Sequence, residues 1–171
     1  MSRTDPTTYY DEIDSPVGRL RLVADTAGLR AVLFEVESHP TKIQPEWVRA
    51  GKPLQRAHRQ LDEYFAGKRQ TFDLALNPYG TSFQLAVWMQ LRGIGYGTTI
   101  SYGDLARRVG NPAASRAVGA ANGRNPLSII VPCHRVIGAS GTLTGYGGGL
   151  PIKQYLLELE QRTVHGDLFA A

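Results

Sequence analysis

The residues most able to do chemistry in this sequence are an adjacent cysteine and histidine, Cys133 and His134, followed by Arg135. Cys133 is the only cysteine in the 171 residues, so it cannot form an internal disulfide or build a thiolate zinc site. It is therefore either a small buried hydrophobic residue or a reactive thiol. A free thiol is mostly protonated at neutral pH, and a nucleophilic role needs a base or a nearby positive charge. His134 and Arg135 could supply both, a setting that favours the thiolate.

The segment before this group, Ile129–Val131, is apolar and ends at Pro132, which predicts a short strand that presents the thiol. Adjacent side chains on an extended chain point to opposite sides. We therefore expect His134 to take the thiol proton through a water molecule rather than by direct contact. A lone Cys-His pair is more often structural than catalytic, so a structural cysteine remains an alternative on these residues alone.

Positive charge is concentrated in the second half of the sequence. Residues 1–82 carry equal numbers of basic and acidic side chains, so the whole net charge of +4 lies in residues 83–171. Between Arg92 and Arg135 the arginines are accompanied by a single acidic residue, Asp104. Such a bias is typical of a face that binds a polyanion, although an ordinary basic surface would give the same pattern.

The elements that must position these residues begin with a small antiparallel sheet and one helix. Strands are predicted at Tyr9–Ile13, Arg19–Ala24, Leu29–Val36 and Phe72–Leu76, and turn-forming residues separate the first three. Apolar residues recur at helical spacing from Leu54 to Phe65, and Gly67 follows where a helix end favours positive φ. We therefore predict a first domain at residues 1–76 and a linker at 77–82.

The second domain, residues 83–171, is predicted to be mostly helical. Helices are expected at 82–93, 101–110, 112–121 and 151–162. Ser82 is the expected N-cap of the first, a capping box at Ser101–Asp104 begins the second, and Pro112 opens the third. The second and third helices form a helix-turn-helix. The predicted fold class is α+β, an antiparallel sheet with a helix joined to a helical domain.

The second helix of the helix-turn-helix carries one long polar side chain, Arg116, among small residues such as Ser115 and Ala117. A helix that reads bases in the major groove normally presents several Arg, Lys, Asn or Gln side chains. The composition therefore indicates recognition of DNA shape and backbone rather than of sequence. Two core helices that pack through alanines would be the alternative.

Five segments of this domain, in this order and spacing, closely resemble the O6-alkylguanine-DNA alkyltransferase family. They are Ile100–Tyr102, Gly110–Pro112, Arg116–Gly119, Asn125–Pro126 and Ile130–Val136. The resemblance extends from about Phe83 to Glu160. Before Phe83 it consists only of a meander and a helix, similar to the family's ribonuclease-H-like amino-terminal domain.

The resemblance implies a catalytic role for five side chains. Cys133 would be the alkyl acceptor, His134 its base through a water molecule, and Glu160 the carboxylate that orients His134. Tyr102 would donate a hydrogen bond to guanine as the leaving group gathers charge. Asn125 would tie the helix-turn-helix to the active-site segment.

The resemblance also implies how DNA is held. Arg116 would fill the place of a nucleotide flipped out of the duplex while the helix lies in the minor groove. The expected DNA-binding residues are Arg116, Ser115, Ala117, Arg124 and Arg135. The expected pocket residues are Tyr146, Gly147 and Val136. In some relatives a serine stands where this chain has Gly147, so here a backbone N–H would replace the hydroxyl contact to the base.

The implied reaction is repair of O6-alkylguanine, and of O4-alkylthymine, in double-stranded DNA. The Cys133 thiolate displaces guanine from the alkyl carbon, and each protein molecule acts once, without a cofactor. The zinc site of some relatives needs cysteines in the first domain, which this sequence lacks, so no metal is expected. We also expect a cytoplasmic monomer without a membrane span, able to assemble cooperatively on DNA.

Three functions of other classes remain open on the residues alone. A DNA-binding regulator that senses alkylation or oxidation at Cys133 should prefer one DNA sequence. A cysteine hydrolase should turn over repeatedly. A non-catalytic relative that binds alkylated DNA and recruits partners is disfavoured by Cys133, since such relatives lack the acceptor cysteine.

Overall fold

A computed structural model of the protein describes residues 6–37 and 40–166. Its first half contains a four-stranded sheet in the order β3-β2-β1-β4. The strands are β1 Tyr9–Ile13, β2 Leu20–Asp25, β3 Gly28–Phe34 and β4 Val48–Arg49. β2 pairs antiparallel with β1 and β3, whereas β4 runs parallel to β1. The predicted meander is confirmed within two residues at each end, and β4 is an addition to it.

Helix α1, Gln55–Phe65, follows a 3₁₀ turn at Lys52–Leu54 and covers this sheet. Its inward side chains recur every three or four residues because that spacing places them on one helical face. They are Ala57, Gln60, Leu61 and Tyr64, all buried. Gly67 ends the turn after the helix with φ 72°, as predicted.

The predicted strand at 72–76 is wrong. A single bridge joins Leu76 to Leu29 of the sheet, and no further ladder forms there within the part of the chain that the structure describes. Instead the side chain of Gln60 bonds the backbone of Asp73 twice, accepting from its N–H at 2.9 Å and donating to its carbonyl at 3.0 Å. A side chain thus takes the place of a strand partner.

The second half is mostly helical, which confirms the predicted α+β arrangement. Its helices are α2 Ser82–Leu91, α3 Tyr102–Val109, α4 Ser115–Gly123 and α5 Leu150–His165. Thr81 rather than Ser82 is the N-cap of α2, because the Thr81 hydroxyl accepts from the N–H of Gln84 in a complete capping box. The capping box of α3 at Ser101 and its left-handed end at Gly110 are as predicted.

Helices α3 and α4 form the predicted helix-turn-helix, with a longer turn than expected. Pro112 does not open α4, since the chain first makes a turn in which the Ala114 N–H donates to the Asn111 carbonyl. A two-stranded parallel sheet, β5 Ile100–Ser101 with β6 Val136–Ile137, was not predicted. It fixes the start of α3 beside the segment that follows Cys133.

The two halves share one hydrophobic core, in which side chains from the sheet and α1 pack together with side chains from α2 to α5. The Val32 N–H on β3 donates to the Pro126 carbonyl across the boundary at 2.9 Å. The buried carboxylate of Asp25 accepts from Asn77 and Tyr79 and so fastens the connecting segment to the sheet. No helix in the described ranges is both long and apolar enough to cross a membrane.

Candidate active site

The segment that carries Cys133 is held by two asparagines rather than by strand pairing. Asn125, just after α4, donates to the Val131 carbonyl at 2.8 Å, and its own side-chain oxygen accepts from the Leu127 N–H at 3.0 Å. Asn122 donates to the Cys133 carbonyl at 3.5 Å. Asn125 thus bonds the backbone at two points of the segment that runs from the end of α4 to Cys133.

The predicted strand before Cys133 is wrong, and this changes the surroundings of the thiol. Ile129 adopts φ 74°, and the chain then turns into one 3₁₀ turn, Cys133–Arg135. Cys133 is only 4% exposed. Burial raises the pKa of the Cys133 thiol from 9.0 to about 11, outweighing the opposite effects of the Asn125 hydrogen bond and the Lys153 charge. In the free protein, burial therefore opposes the thiolate that the sequence led us to expect.

His134 is held as a neutral imidazole with one free ring nitrogen among the described residues. Its Nε2 bonds Glu160 Oε2, and both side chains are fully buried. Burial lowers the pKa of His134, so its ring is neutral at neutral pH. Because an ionised carboxylate can only accept, Nε2 carries the ring proton and Nδ1 keeps a lone pair. Nδ1 is buried without a hydrogen-bond partner among the described residues.

Glu160 lies on α5 and accepts from four donors. Oε2 accepts from His134 and from the Tyr64 hydroxyl at 3.0 Å, while Oε1 accepts from Arg135 Nε at 2.6 Å and from the Gly97 N–H at 3.1 Å. Burial by itself would raise the pKa of Glu160, but His134 and Arg135 together lower it to about 2. The carboxylate is therefore ionised throughout the ordinary pH range.

The structure does not place Arg135 at the DNA-binding face where the resemblance put it, because its side chain is buried. It is buried, and besides its bond to Glu160 it donates from Nη1 to the Ile94 carbonyl at 2.7 Å. Within the 3₁₀ turn its side chain points into the protein, where its charge balances the carboxylate. Arg135 thus supports the His134–Glu160 pair and does not contact a ligand at the surface.

Acid should destabilise the protein through Glu160. The folded pKa of about 2 lies below the ordinary value of 4.5, so this carboxylate stabilises the fold above pH 4.5 and loses its contribution as pH falls towards 2. The difference corresponds to a free energy of unfolding on the order of 3 kcal/mol. Urea unfolding measured at a series of pH values should show this decline.

Glu160→Gln should remove that part of the pH dependence, although it will also lower stability at pH 7 because Arg135 loses its buried partner. Glu158→Gln is the matched control, since Glu158 is exposed two residues away on the same helix. A Glu160→Gln curve that declines between pH 4.5 and 2 as steeply as that of the Glu158→Gln protein would contradict the assignment.

Lys153 is a candidate functional residue that sequence reasoning missed. It is fully buried on α5, and its ammonium group donates to the Val136 carbonyl at 2.6 Å and to the Thr144 carbonyl at 3.1 Å. Its positive charge lowers the pKa of Cys133. The available signal was its position three residues before Leu156, on the inward face of a helix, where a lysine needs a specific reason.

An open cavity of about 600 Å³ lies beside this group, between α4 and the loop before α5. It is lined by Tyr102, Ser115, Arg116, Gly119, Gly123, Thr144, Gly145, Tyr146 and Gly147. The structure thus brings together residues expected to bind DNA and residues expected to bind the base. Thr144 donates to the Tyr102 hydroxyl at 2.8 Å, which fixes that hydroxyl at the cavity wall.

The outer face of α4 is made of small residues and two arginines. Arg116, Ala117 and Arg124 are exposed there, and Ser115 is half-buried. Val136, expected in the pocket, is fully buried and does not line the open cavity. β6 places the Val136 side chain in the core, and its carbonyl accepts from Lys153.

The glycine-rich loop touches the first half of the chain. A Cβ added to Gly148 would lie 2.5 Å from the ring of Phe34, so only glycine fits there. One at Gly147 would lie 2.8 Å from Glu37 Oε2, and the Glu37 carboxylate is fixed by the Phe34 N–H. Tyr146 packs on Phe34 with ring centroids 5.6 Å apart. A side chain at position 147 would therefore require the Glu37 carboxylate to move, whereas one at position 148 would meet the Phe34 ring.

Comparison with known proteins decides the family. The model of the 6-O-methylguanine DNA methyltransferase ribonuclease-like domain matches residues 8–78, and that of the DNA binding domain of the same methyltransferase matches residues 82–162. The chain belongs to the 6-O-methylguanine DNA methyltransferase family.

Within the described ranges, no three His, Cys, Asp or Glu side chains gather as metal ligands would.

Relatives of this methyltransferase family member align along most of its length. It is 51% identical to the methylated-DNA–protein-cysteine methyltransferase of Methanosarcina acetivorans, over 89% of this chain and 97% of the relative. The methyltransferase of the same name from Mycobacterium tuberculosis H37Rv is 48% identical, over 94% and 96%. A crystal structure of Mycobacterium tuberculosis OGT in complex with DNA superposes with a TM-score of 0.85 at 47% identity, covering 91% of this chain and 94% of that one.

Proposed function

We propose that this protein repairs O6-alkylguanine in double-stranded DNA by moving the alkyl group onto Cys133. One observation carries the proposal. The only cysteine of the chain directly precedes a neutral imidazole whose Nε2 is held by an ionised carboxylate and whose Nδ1 has no partner in the described structure. The Cys133 thiol therefore lies next to an imidazole that can accept its proton. A cavity lined by candidate DNA-binding residues lies beside them. Membership of the methyltransferase family supports the same reading.

DNA binding begins at the outer face of α4. The small side chains of this face let the helix lie close to the minor groove, where it contacts backbone and shape rather than base edges. A base in the stack hides its O6 substituent, so the damaged nucleotide must flip into the cavity. Arg116 lies at the cavity rim and fills the vacated position in the stack. Arg124, exposed at the end of α4, adds a contact to phosphate.

Methyl transfer then proceeds in one displacement. The Cys133 proton passes through a water molecule to His134 Nδ1, and the imidazolium that forms is stabilised by Glu160. The sulfur attacks the alkyl carbon, an S–C bond forms and the C–O6 bond breaks, and the bonding electron pair stays on guanine, which then takes up a proton at N1 from solvent while His134 releases its own. Tyr102 donates a hydrogen bond to the guanine as this charge develops. A thioether has no good leaving group, so each molecule reacts once and needs no cofactor.

Several finer properties follow from this chemistry. O4-alkylthymine presents the same alkyl–oxygen bond and is a second substrate. The acceptor must remain a thiol, which places the reaction in the reducing cytoplasm. Apart from the chemistry, we propose a monomer in solution that is able to assemble cooperatively on DNA. We assign alkyl transfer to residues 83–171, joined by 77–82 to a supporting domain at 1–76.

Intact-mass spectrometry tests the proposal directly. The protein is mixed with a duplex that contains one O6-methylguanine, and in parallel with the same duplex carrying guanine. We expect the mass of one methyl group to be added only with the damaged duplex, on the peptide that contains Cys133, and never more than one per molecule. An unmodified protein that still binds the damaged duplex would contradict transfer and favour a sensor or a recruiting protein. Repeated turnover without modification would favour a hydrolase.

A further inference from the structure

A tyrosine from the first half of the chain reaches the carboxylate of the proposed proton acceptor. Tyr64 lies on α1, is 0% exposed, and donates from its hydroxyl to Glu160 Oε2 at 3.0 Å. The two residues are 96 positions apart in the sequence. The oxygen that accepts from Tyr64 is the same one that accepts from His134 Nε2.

The Tyr64 hydroxyl is a fixed and permanent donor. Its ring packs against Phe65, Phe72 and Tyr96, with centroid distances of 5.4, 5.7 and 6.1 Å. Burial, and then the negative charge of Glu160, raise the pKa of Tyr64 well above 10. The hydroxyl therefore keeps its proton at neutral pH, and it acts by donation rather than by exchanging protons.

The four donors around Glu160 fill the four acceptor positions of a carboxylate. Because Tyr64 and His134 share Oε2, the two hydrogen bonds compete for the same negative charge. Each charge-assisted bond that a carboxylate accepts makes it a weaker acceptor for the others. The Tyr64 hydroxyl thus orients Oε2 towards the imidazole and at the same time limits how strongly it holds the imidazole proton.

We infer that Tyr64 is a positioning residue for the transfer reaction, one that aims Glu160 at His134 and sets how strongly His134 attracts the Cys133 proton. The inference rests on the proposed function. It gives the first half of the chain a part in the chemistry, beyond support of the fold.

The other ionisable groups around this pair do not mimic the effect. Arg135 and Lys153 are cations that lower the pKa of His134, and Tyr96 is kept neutral because burial raises its pKa. Cys133 itself is the proton source. A change confined to the Tyr64 hydroxyl leaves these four groups in place.

Tyr64→Phe removes that hydroxyl and little else. Single-turnover methyl transfer from a duplex with O6-methylguanine would be followed across pH at saturating protein. With one competitor gone, Glu160 stabilises the imidazolium more strongly and raises the pKa of His134. Because the reaction needs the neutral ring, the half-maximal pH should rise by about half a pH unit. Glu160→Ala should move it downward and slow transfer at the plateau. Tyr10→Phe is the matched control, because Tyr10 is a half-buried tyrosine of the same sheet domain that packs on Trp47, and it should leave the profile unchanged.

Substitution of Tyr64 by 3-fluorotyrosine keeps the ring and hydroxyl and strengthens the donor, so it should move the half-maximal pH downward. This variant serves even where Tyr64→Phe folds poorly. If the pH profiles of both variants coincide with that of wild type, the inference is overturned. The same holds if less of the protein is active but the half-maximal pH is unchanged, since Tyr64 would then only pack in the core. If the wild-type protein adds no methyl group in the same assay, the proposed function itself fails, which is a distinct result.

Discussion

Cys133→Ser should abolish methyl transfer to the protein while leaving its affinity for damaged duplex nearly unchanged. A serine hydroxyl ionises far less readily than a thiol and is a poorer nucleophile towards a saturated carbon, so the rate should fall by more than about a thousandfold. The side chain is similar in size and its backbone is fixed by Asn122 and Asn125 through neighbouring carbonyls. The fold and the cavity should therefore persist.

The measurement combines intact mass after incubation with damaged duplex and fluorescence anisotropy of the labelled duplex. Cys133→Ala is the matched variant, because it lacks any nucleophile at this position and should behave like the serine variant. Methylation of another residue in either protein would show that the acceptor has been assigned wrongly. Loss of duplex binding in both would mean that the thiol supports the fold rather than the chemistry alone.

Arg116→Ala should slow repair of duplex DNA by about a hundredfold and hardly affect reaction with the free O6-methylguanine base. Flipping a nucleotide costs a few kcal/mol, and only the duplex substrate requires it. Arg116 is exposed on α4 at the edge of the cavity, where its guanidinium can replace the displaced base in the stack. The comparison is between two substrates of one variant, so a change in folded fraction cancels.

Arg162→Ala provides the matched loss of charge, since Arg162 is exposed on α5 and does not line the cavity. Its duplex rate at saturation should equal that of wild type at the same salt concentration. Equal losses for duplex and free base in Arg116→Ala would remove the role in flipping. A comparable duplex loss in Arg162→Ala would show that net charge alone is responsible.

Local patterns were enough to predict most elements of the fold. The spacing of apolar residues predicted the bounds of β1 to β3 and of α1 to α5 within a few residues. It could do so because the apolar side chains of an element lie on one buried face. The strand expected at 72–76 does not form because the side chain of Gln60, more than ten residues earlier, takes both backbone hydrogen bonds of Asp73. A local sequence pattern cannot reveal such a contact. The strand expected before Cys133 failed because apolar character alone does not distinguish a strand from a buried turn.

The candidate site shows the same division between local and distant information. The motif around Cys133 pointed to the thiol and its neighbouring base, and the resemblance supplied Glu160. The contacts of Tyr64 and Lys153 with this group depend on how the two halves dock, and no spacing reveals that. Arg135 was placed on the surface by its charge, whereas the 3₁₀ turn directs it inward. The pKa of Cys133 was misjudged because burial outweighs the polar groups around it.

The deep position of the Cys133 thiol has a consequence for the lifetime of the protein in a cell. A molecule with one acceptor is inactivated permanently by any electrophile that reaches its sulfur. A pKa of about 11 instead of 9.0 lowers the thiolate fraction at neutral pH by about a hundredfold relative to an unfolded chain. The burial that makes deprotonation difficult should thereby slow the reaction of Cys133 with electrophiles that diffuse to the protein.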